Sequence, residues 1–369
     1  MLSNDKKARK VTHLELRSDT MSKTPQMQTI TLHKYCANGN DFLIFHTIVE
    51  EDFSSLAVRL CDRFRGIGAD GLVVVLPNDT SAQNTAYKWD FYNSDGSRAN
   101  MCGSASRCVG HYAFSAGLAK QRHSFLSGAG VIDIEVNGEI VQANLGKFHS
   151  LKKLGTLKEI VLLWDITEYM TKIQTSQTSL KAIKESKDSS MDMALRWAIG
   201  DFGGEELDGE FGRDFVEESE KLARDCLDTL ETLKNSQWFS LNTGVPHLVC
   251  FLPAHLLPKA RDTAQAKPIL AILRDKFDAN ITIAHKIDDK RVEFATYERG
   301  VEGVTLSCGS GMAAALVVGY RFYGVDSSAR LIPPSGEPAQ ASEDSNGCVS
   351  LRGAVSHIAT CIVDEALLK

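Results

Sequence analysis

The sequence has no stretch approaching the roughly 18–20 continuous apolar residues that a membrane helix needs. Its longest apolar run, Met312 to Val318, is short and follows a Gly/Ser turn, so it predicts a buried helix. The first residues, MLSNDKKARKVTHLELRSDT, have basic side chains without an apolar core behind them, which excludes a secretory signal. Asp5, Glu15 and Asp19 argue against a transit peptide as well, so residues 1–28 are expected to form a disordered extension that translation from Met27 would remove. There is no CxxC pair, and the nine cysteines follow no framework spacing. A structural metal site is therefore not expected, and free thiols in a reducing, cytoplasmic compartment are. A net charge of -6 gives no reason to expect nucleic acid as a partner. No P-loop and no pyridoxal-type lysine setting is found. The run Gly66-Ile67-Gly68-Ala69-Asp70-Gly71 matches GxGxxG, but a helix-like segment precedes it and the strand LVVVL follows. A dinucleotide site needs the reverse order, so none is expected there.

What remains is a soluble α/β composition of α+β type, with 43% hydrophobic and 24% charged residues over 369 positions, enough for two domains. Short aliphatic or aromatic runs predict strands at 30–35, 42–45, 72–76, 88–92, 131–136, 140–145, 238–241, 247–252, 281–284, 292–297, 348–351 and 357–363. Helices are expected at 53–64, with Leu56, Leu60 and Phe64 on its apolar face, from Gly103 onward, and at 309–323. One domain is expected over 29–147, with the last strand (357–369) packing beside it, and a second over 148–356. A polar, acid-rich, partly helical insertion over about 167–235 interrupts the second; Glu217 to Leu233 has helical periodicity.

The sequence also echoes itself. FYNSDGSRANMCGSASRC in the first half and TYERGVEGVTLSCGSGMAA in the second each run from an aromatic strand end through a loop to Cys-Gly-Ser and a helix. A cysteine directly before a helix sits where unpaired N–H groups and the helix dipole favour negative charge. That setting is expected to bring a thiol down from about 8.5 towards neutrality and make it a usable base. The same N–H groups can hold a carboxylate. Two such helix starts facing one cleft put a base and an acid on opposite faces of one carbon, as stereoinversion requires. Cys102 and Cys308 are the candidates. A free cysteine is ordinarily an inert buried residue, which is what is expected of Cys36, Cys61, Cys226, Cys250, Cys348 and Cys361, and Cys108 is expected to pack within its helix.

HKYCANGNDFLIF, RFRGIGADGLVVV, FYNSDGSRANMCGSASRC, NTGVPHLV and YERGVEGVTLSCGSGMAA, in this order, resemble the successive signatures of the diaminopimelate epimerases. The resemblance implies two pseudo-symmetric domains, each a curled, mostly antiparallel sheet around a central helix, with the site in the cleft between them. It implies interconversion of LL- and meso-diaminopimelate, on the route to lysine and peptidoglycan, with no cofactor and no metal. By resemblance His247 and Glu298 assist the thiols, Gly103, Ser104, Gly309 and Ser310 bind the reacting carboxylate, and Asn40, Asn93, Asn280 and Arg299 contact the rest of the substrate. The chain departs from the common pattern at Ser104 (usually Asn), whose shorter hydroxyl can still donate to a carboxylate, and at Gly71 (often Gln) and Val245 (often Asn), where polar contacts are lost. The small-molecule substrate is the one partner expected, with a homodimer left open. A racemase for another amino acid, such as proline, remains the alternative within this chemistry. From other classes, a thiol-redox or metal-binding protein and a decayed interaction protein remain as rivals.

Overall fold

The computed structural model describes residues 29–78, 84–157, 232–256 and 266–363. In chain order the elements are β1 (Ile30–Ala37), β2 (Asn40–His46), α1 (Ser54–Cys61), β3 (Gly71–Leu76), β4 (Tyr87–Asn93), α2 (Gly103–Ser115), β5 (Arg122–Ser127), β6 (Gly130–Asn137), β7 (Ile140–Lys147) and β8 (His149–Gly155). They continue with β9 (Trp238–Asn242), β10 (Pro246–Phe251), α3 (Ala266–Phe277), β11 (Asn280–Asp288), β12 (Arg291–Glu298), β13 (Gly303–Val304), α4 (Gly309–Phe322), β14 (Ser328–Ile332), β15 (Ala339–Glu343), β16 (Cys348–Ala354) and β17 (Ser356–Val363).

Strand pairing reveals the repeat in full. From β1 to β7 neighbours pair antiparallel, parallel, antiparallel, parallel, antiparallel and antiparallel. The series β9, β10, β11, β12, β14, β15, β16 repeats that order. Parallel neighbours need a crossover connection, and in each half the two crossovers carry the helices: α1 and α2 in the first, α3 and α4 in the second. β7 joins β16 antiparallel and so links the halves. Each half also lends a strand to the other, since β17 pairs with β1 and β8 with β9.

Each half curls around one helix. Ala105, Cys108, Val109, Tyr112 and Ala113 of α2 pack into a core with Phe42, Val73, Phe91, Ile134 and Val141. In α4 the whole run Met312–Val318 is buried, against Val249, Phe294, Leu331 and Leu351. Burying a helix on all sides accounts for its lack of a polar face. Smaller cores lie under α1 and α3.

Most expected elements are present with longer ends, and the differences have local causes. Helix α1 stops at Cys61, and Phe64 is 98% exposed rather than on an apolar face. The Asp62 carboxylate accepts the N–H groups of Phe64 and Arg65, both at 2.8 Å, and turns the chain out of the helix. Strands β5, β8, β14 and β15 and helix α3 were not legible. β15, AQASE, is held by its neighbours through small inward residues, Ala339 and Ala341. The helix expected over 217–233 lies largely outside the described residues. Its last residue is not at the surface: Leu233 is fully buried, and its carbonyl accepts the Trp238 indole N–H at 3.0 Å. Among the described residues no helix is long and apolar enough to cross a membrane.

Candidate active site

Cys102 is the N-cap of α2 and Cys308 the N-cap of α4. Both have extended backbone, and each sulfur accepts the N–H three residues on, from Ala105 at 3.5 Å and Gly311 at 3.4 Å. The first two amides of each helix, those of Gly103 and Ser104 and of Gly309 and Ser310, have no acceptor within the helix.

The two helix starts touch through their glycines. A Cβ added at Gly309 would lie 2.7 Å from Gly103 Cα and 2.8 Å from Ser104 N, and one at Gly103 would lie 3.1 Å from Gly309 Cα. Only residues without side chains let the backbones approach so closely. This contact brings both cysteines to one cleft of about 600 Å³, lined also by Asn40, Asn93, Asn280, Glu298, Arg299 and Ser310. Gly103, Ser104, Gly309 and His247 are buried and are not among the residues that line it. The Ser104 hydroxyl is wholly buried with no partner among the described residues, so the side chain does not reach the cleft.

Around Cys308 the polar groups are continuous. The buried His247 imidazole shares hydrogen bonds of 2.9 Å with Thr282 Oγ1 through Nδ1 and with Ser310 Oγ through Nε2. Thr282 bonds Thr296 at 3.0 Å, its partner across the β11–β12 ladder, and Ser310 Oγ lies 3.4 Å from Cys308 Sγ. Burial pushes His247 down to about 3, so the ring is neutral at physiological pH. Glu298, ending β12, receives the hydroxyl of Thr305 and the thiol of Cys308, and burial pushes it up to about 7. Glu298 directly, and His247 through Ser310, thus converge on Cys308.

The thiols do not behave as the helix ends alone would have them. Burial, with Glu298 nearby, pushes Cys102 up to about 12 and Cys308 well above its ordinary value. The amides at the helix starts act in the opposite direction, but desolvation of a thiolate outweighs them. In the substrate-free chain both cysteines are therefore thiols.

Asn40, which lines the cleft, donates its amide to Ser307 O at 3.0 Å and leaves Oδ1 buried without a partner among the described residues. Asn280 Oδ1 accepts the Arg299 backbone N–H at 2.9 Å, and the Arg299 guanidinium pairs with Asp278. The departure at Gly71 has a structural counterpart. A Cβ at Gly71 would meet Phe91 Cε2 at 2.7 Å, so the Phe91 ring occupies the space that a longer residue would need. Sequence reasoning missed Thr282 and Thr305, and it did not place Asp70, Arg274 or Glu302 at the cleft that they line. The alternation of Asn280 and Thr282 along β11 was the available signal for Thr282; Arg274 stood in a segment not recognised as a helix. No group of three or more His, Cys, Asp or Glu that could hold a metal occurs among the described residues.

The sequence model of the diaminopimelate epimerases matches residues 32–150. A Helicobacter pylori diaminopimelate epimerase is 33% identical over 90% of this chain and 96% of its own length. The chain belongs to the diaminopimelate epimerase family. A relative from Nitratiruptor is 33% identical over 84% of this chain and 89% of its own. One from Campylobacter jejuni is 31% identical over 83% and 88%. Membership makes the protein an isomerase of the amino-acid epimerase type. Two solved structures share the fold at low identity. A probable proline racemase from Agrobacterium radiobacter has a TM-score of 0.56 at 11% identity, covering 91% of this chain and 93% of its own. A phenazine biosynthesis protein of the PhzF family from Bacillus anthracis has a TM-score of 0.55 at 12% identity, covering 91% and 99%.

Proposed function

We propose that this epimerase interconverts LL- and meso-diaminopimelate by a two-base exchange of the α-proton between Cys102 and Cys308, in the cytoplasmic route to lysine and peptidoglycan precursors. The observation that carries the reading is the glycine contact between the two helix starts, which leaves two capping sulfurs on one cleft. The α-carboxylate lies against the first amides of α2 and α4, which stabilise the charge developing on the carbon. Such preorganised donors typically contribute about 3–4 kcal/mol each. Asn40 Oδ1 accepts from the α-ammonium. That ammonium adds positive charge beside the thiols, and so favours a thiolate once substrate is bound. Glu298 takes the proton released by Cys308, and the neutral His247, through Ser310, orders the other side of that sulfur. One cysteine removes the α-proton and the other returns a proton to the opposite face. The roles exchange with the stereoisomer, and the scheme calls on no pyridoxal phosphate and no metal.

The test is deuterium incorporation at the α-carbon of LL-diaminopimelate in heavy water, for the wild type, Cys102→Ser and Cys308→Ser. The reduced wild type is expected to exchange and both variants to lose exchange by at least about 100-fold, since removing one base stops proton transfer at one face. No exchange by the wild type would overturn the substrate reading. Exchange surviving both substitutions would overturn the two-cysteine mechanism.

A further inference from the structure

Three arginines line the cleft, Arg98, Arg274 and Arg299, and they are not equivalent. Arg98 turns to Asp90 and to the Tyr92 hydroxyl, at 3.2 and 2.8 Å. Arg299 is open to solvent and tethered to Asp278. Arg274 is different. Its side chain is only 19% exposed, Glu302 holds Nη2 at 2.6 Å, the exposed Asp275 carboxylate lies a looser 3.7 Å from Nη1, and the wholly buried Nε has no hydrogen-bond partner among the described residues. A guanidinium so enclosed, with donors to spare, is costly to keep unless an anion completes it.

The position of Arg274 says which anion. It projects from α3, and its partner Glu302 lies in the turn between β12 and β13, beside Arg299 and Gly300. That turn faces the end of β4: a Cβ added at Gly300 would lie 3.3 Å from Asn93 Nδ2. Both turns and both cysteines line the one cleft. In the proposed reaction the first amides of α2 and α4 hold one carboxylate, so the arginines serve a second.

We propose that Arg274, aligned by Glu302, binds the distal carboxylate of the substrate beside Arg299 and selects dicarboxylic over monocarboxylic amino acids. The assignment rests on the proposed epimerisation of diaminopimelate and deepens it. The planar fork accepts a carboxylate in two parallel hydrogen bonds, while Glu302 takes one nitrogen from the rear and limits the fork's rotation.

The test compares wild type, Arg274→Gln, Arg274→Lys and Glu302→Gln. Two measurements are made: α-deuterium exchange of LL-diaminopimelate over a range of concentrations, and protection of the site cysteines from iodoacetamide. Protection is measured with LL-diaminopimelate and with lysine, which has the same chain but no distal carboxylate. Arg274→Gln is expected to raise KM for diaminopimelate by about 10- to 100-fold, the range for a charge-assisted hydrogen bond. Its kcat at saturation and its protection by lysine should stay within about threefold of wild type. Arg274→Lys should recover part of the loss, and Glu302→Gln should raise KM less than Arg274→Gln does. An unchanged KM in Arg274→Gln overturns the assignment, as does an equal loss of protection by both ligands, which marks a structural role. Should lysine protect nothing at any concentration, the split between KM and kcat decides alone. A wild type that neither exchanges diaminopimelate nor is protected by it overturns the substrate reading itself, and the assignment with it.

Discussion

Replacing Gly309 by alanine tests the geometric basis of catalysis most directly. The added methyl carbon would sit 2.7 Å from Gly103 Cα, 2.8 Å from Ser104 N and 2.9 Å from Gly103 C, all backbone atoms that no rotamer change can clear. Carbon atoms pack at about 3.5–4.0 Å, so the two helix starts must separate by about 1 Å. Such a shift moves Cys102 and Cys308 apart and pulls the amides off the carboxylate together. A displacement of about 1 Å at reacting groups costs about 100-fold in rate. Overpacking of this kind destabilises by about 1–3 kcal/mol. The expected outcome is a fall of about 100-fold in kcat/KM for α-deuterium exchange, in a protein that still unfolds cooperatively with a lowered midpoint. Gly303→Ala is the matched control, because its Cβ meets only Val301 O, at 4.0 Å. Near-wild-type exchange in Gly309→Ala, or an equal loss in Gly303→Ala, would refute the claim that the glycine contact sets the distance between the two bases.

Burial pushes Glu298 up to about 7, so below that pH its carboxyl is protonated and cannot accept from Cys308, and above it the carboxylate can. The acid limb of kcat/KM should therefore have a midpoint near 7 and vanish, with low residual activity, in Glu298→Gln; a limb that persists belongs to another group. His247, held down to about 3, should show no titration between pH 5 and 8 in a two-dimensional NMR series, before or after that substitution. Thr282→Val keeps the side-chain shape but removes the hydroxyl 2.9 Å from His247 Nδ1. Leaving that buried nitrogen unpartnered should cost about 1–3 kcal/mol in denaturant unfolding. Restoring the common family residue by Gly71→Gln places Cβ 2.7 Å from Phe91 Cε2 and 2.7 Å from Tyr92 O. It should lower the melting midpoint without lowering KM; a stable variant with a lower KM would show that Phe91 yields.

The sequence alone determined much of the local structure. Aliphatic runs located the central strands, and Cys-Gly-Ser located both helix starts, because capping and side-chain periodicity depend on residues a few positions apart. The echo between the halves also singled out two cysteines from nine, and the structure extends that echo to the whole order of strand pairing. Elements without a strong pattern of their own were invisible. β15 is a strand because β14 and β16 flank it, and Arg274 reached the cleft on a helix that its sequence did not announce.

Only the tertiary structure decided the state of the thiols. A helix start predicts a lowered pKa from local dipoles, yet enclosure by both halves desolvates the sulfurs and raises them. It also decided that each half lends a strand to the other, that Phe64 leaves its helix for solvent, and that Phe91 fills the space beside Gly71. Each of these outcomes depends on which residues distant in the chain come to lie side by side, and on how much water they displace. A local sequence pattern contains neither.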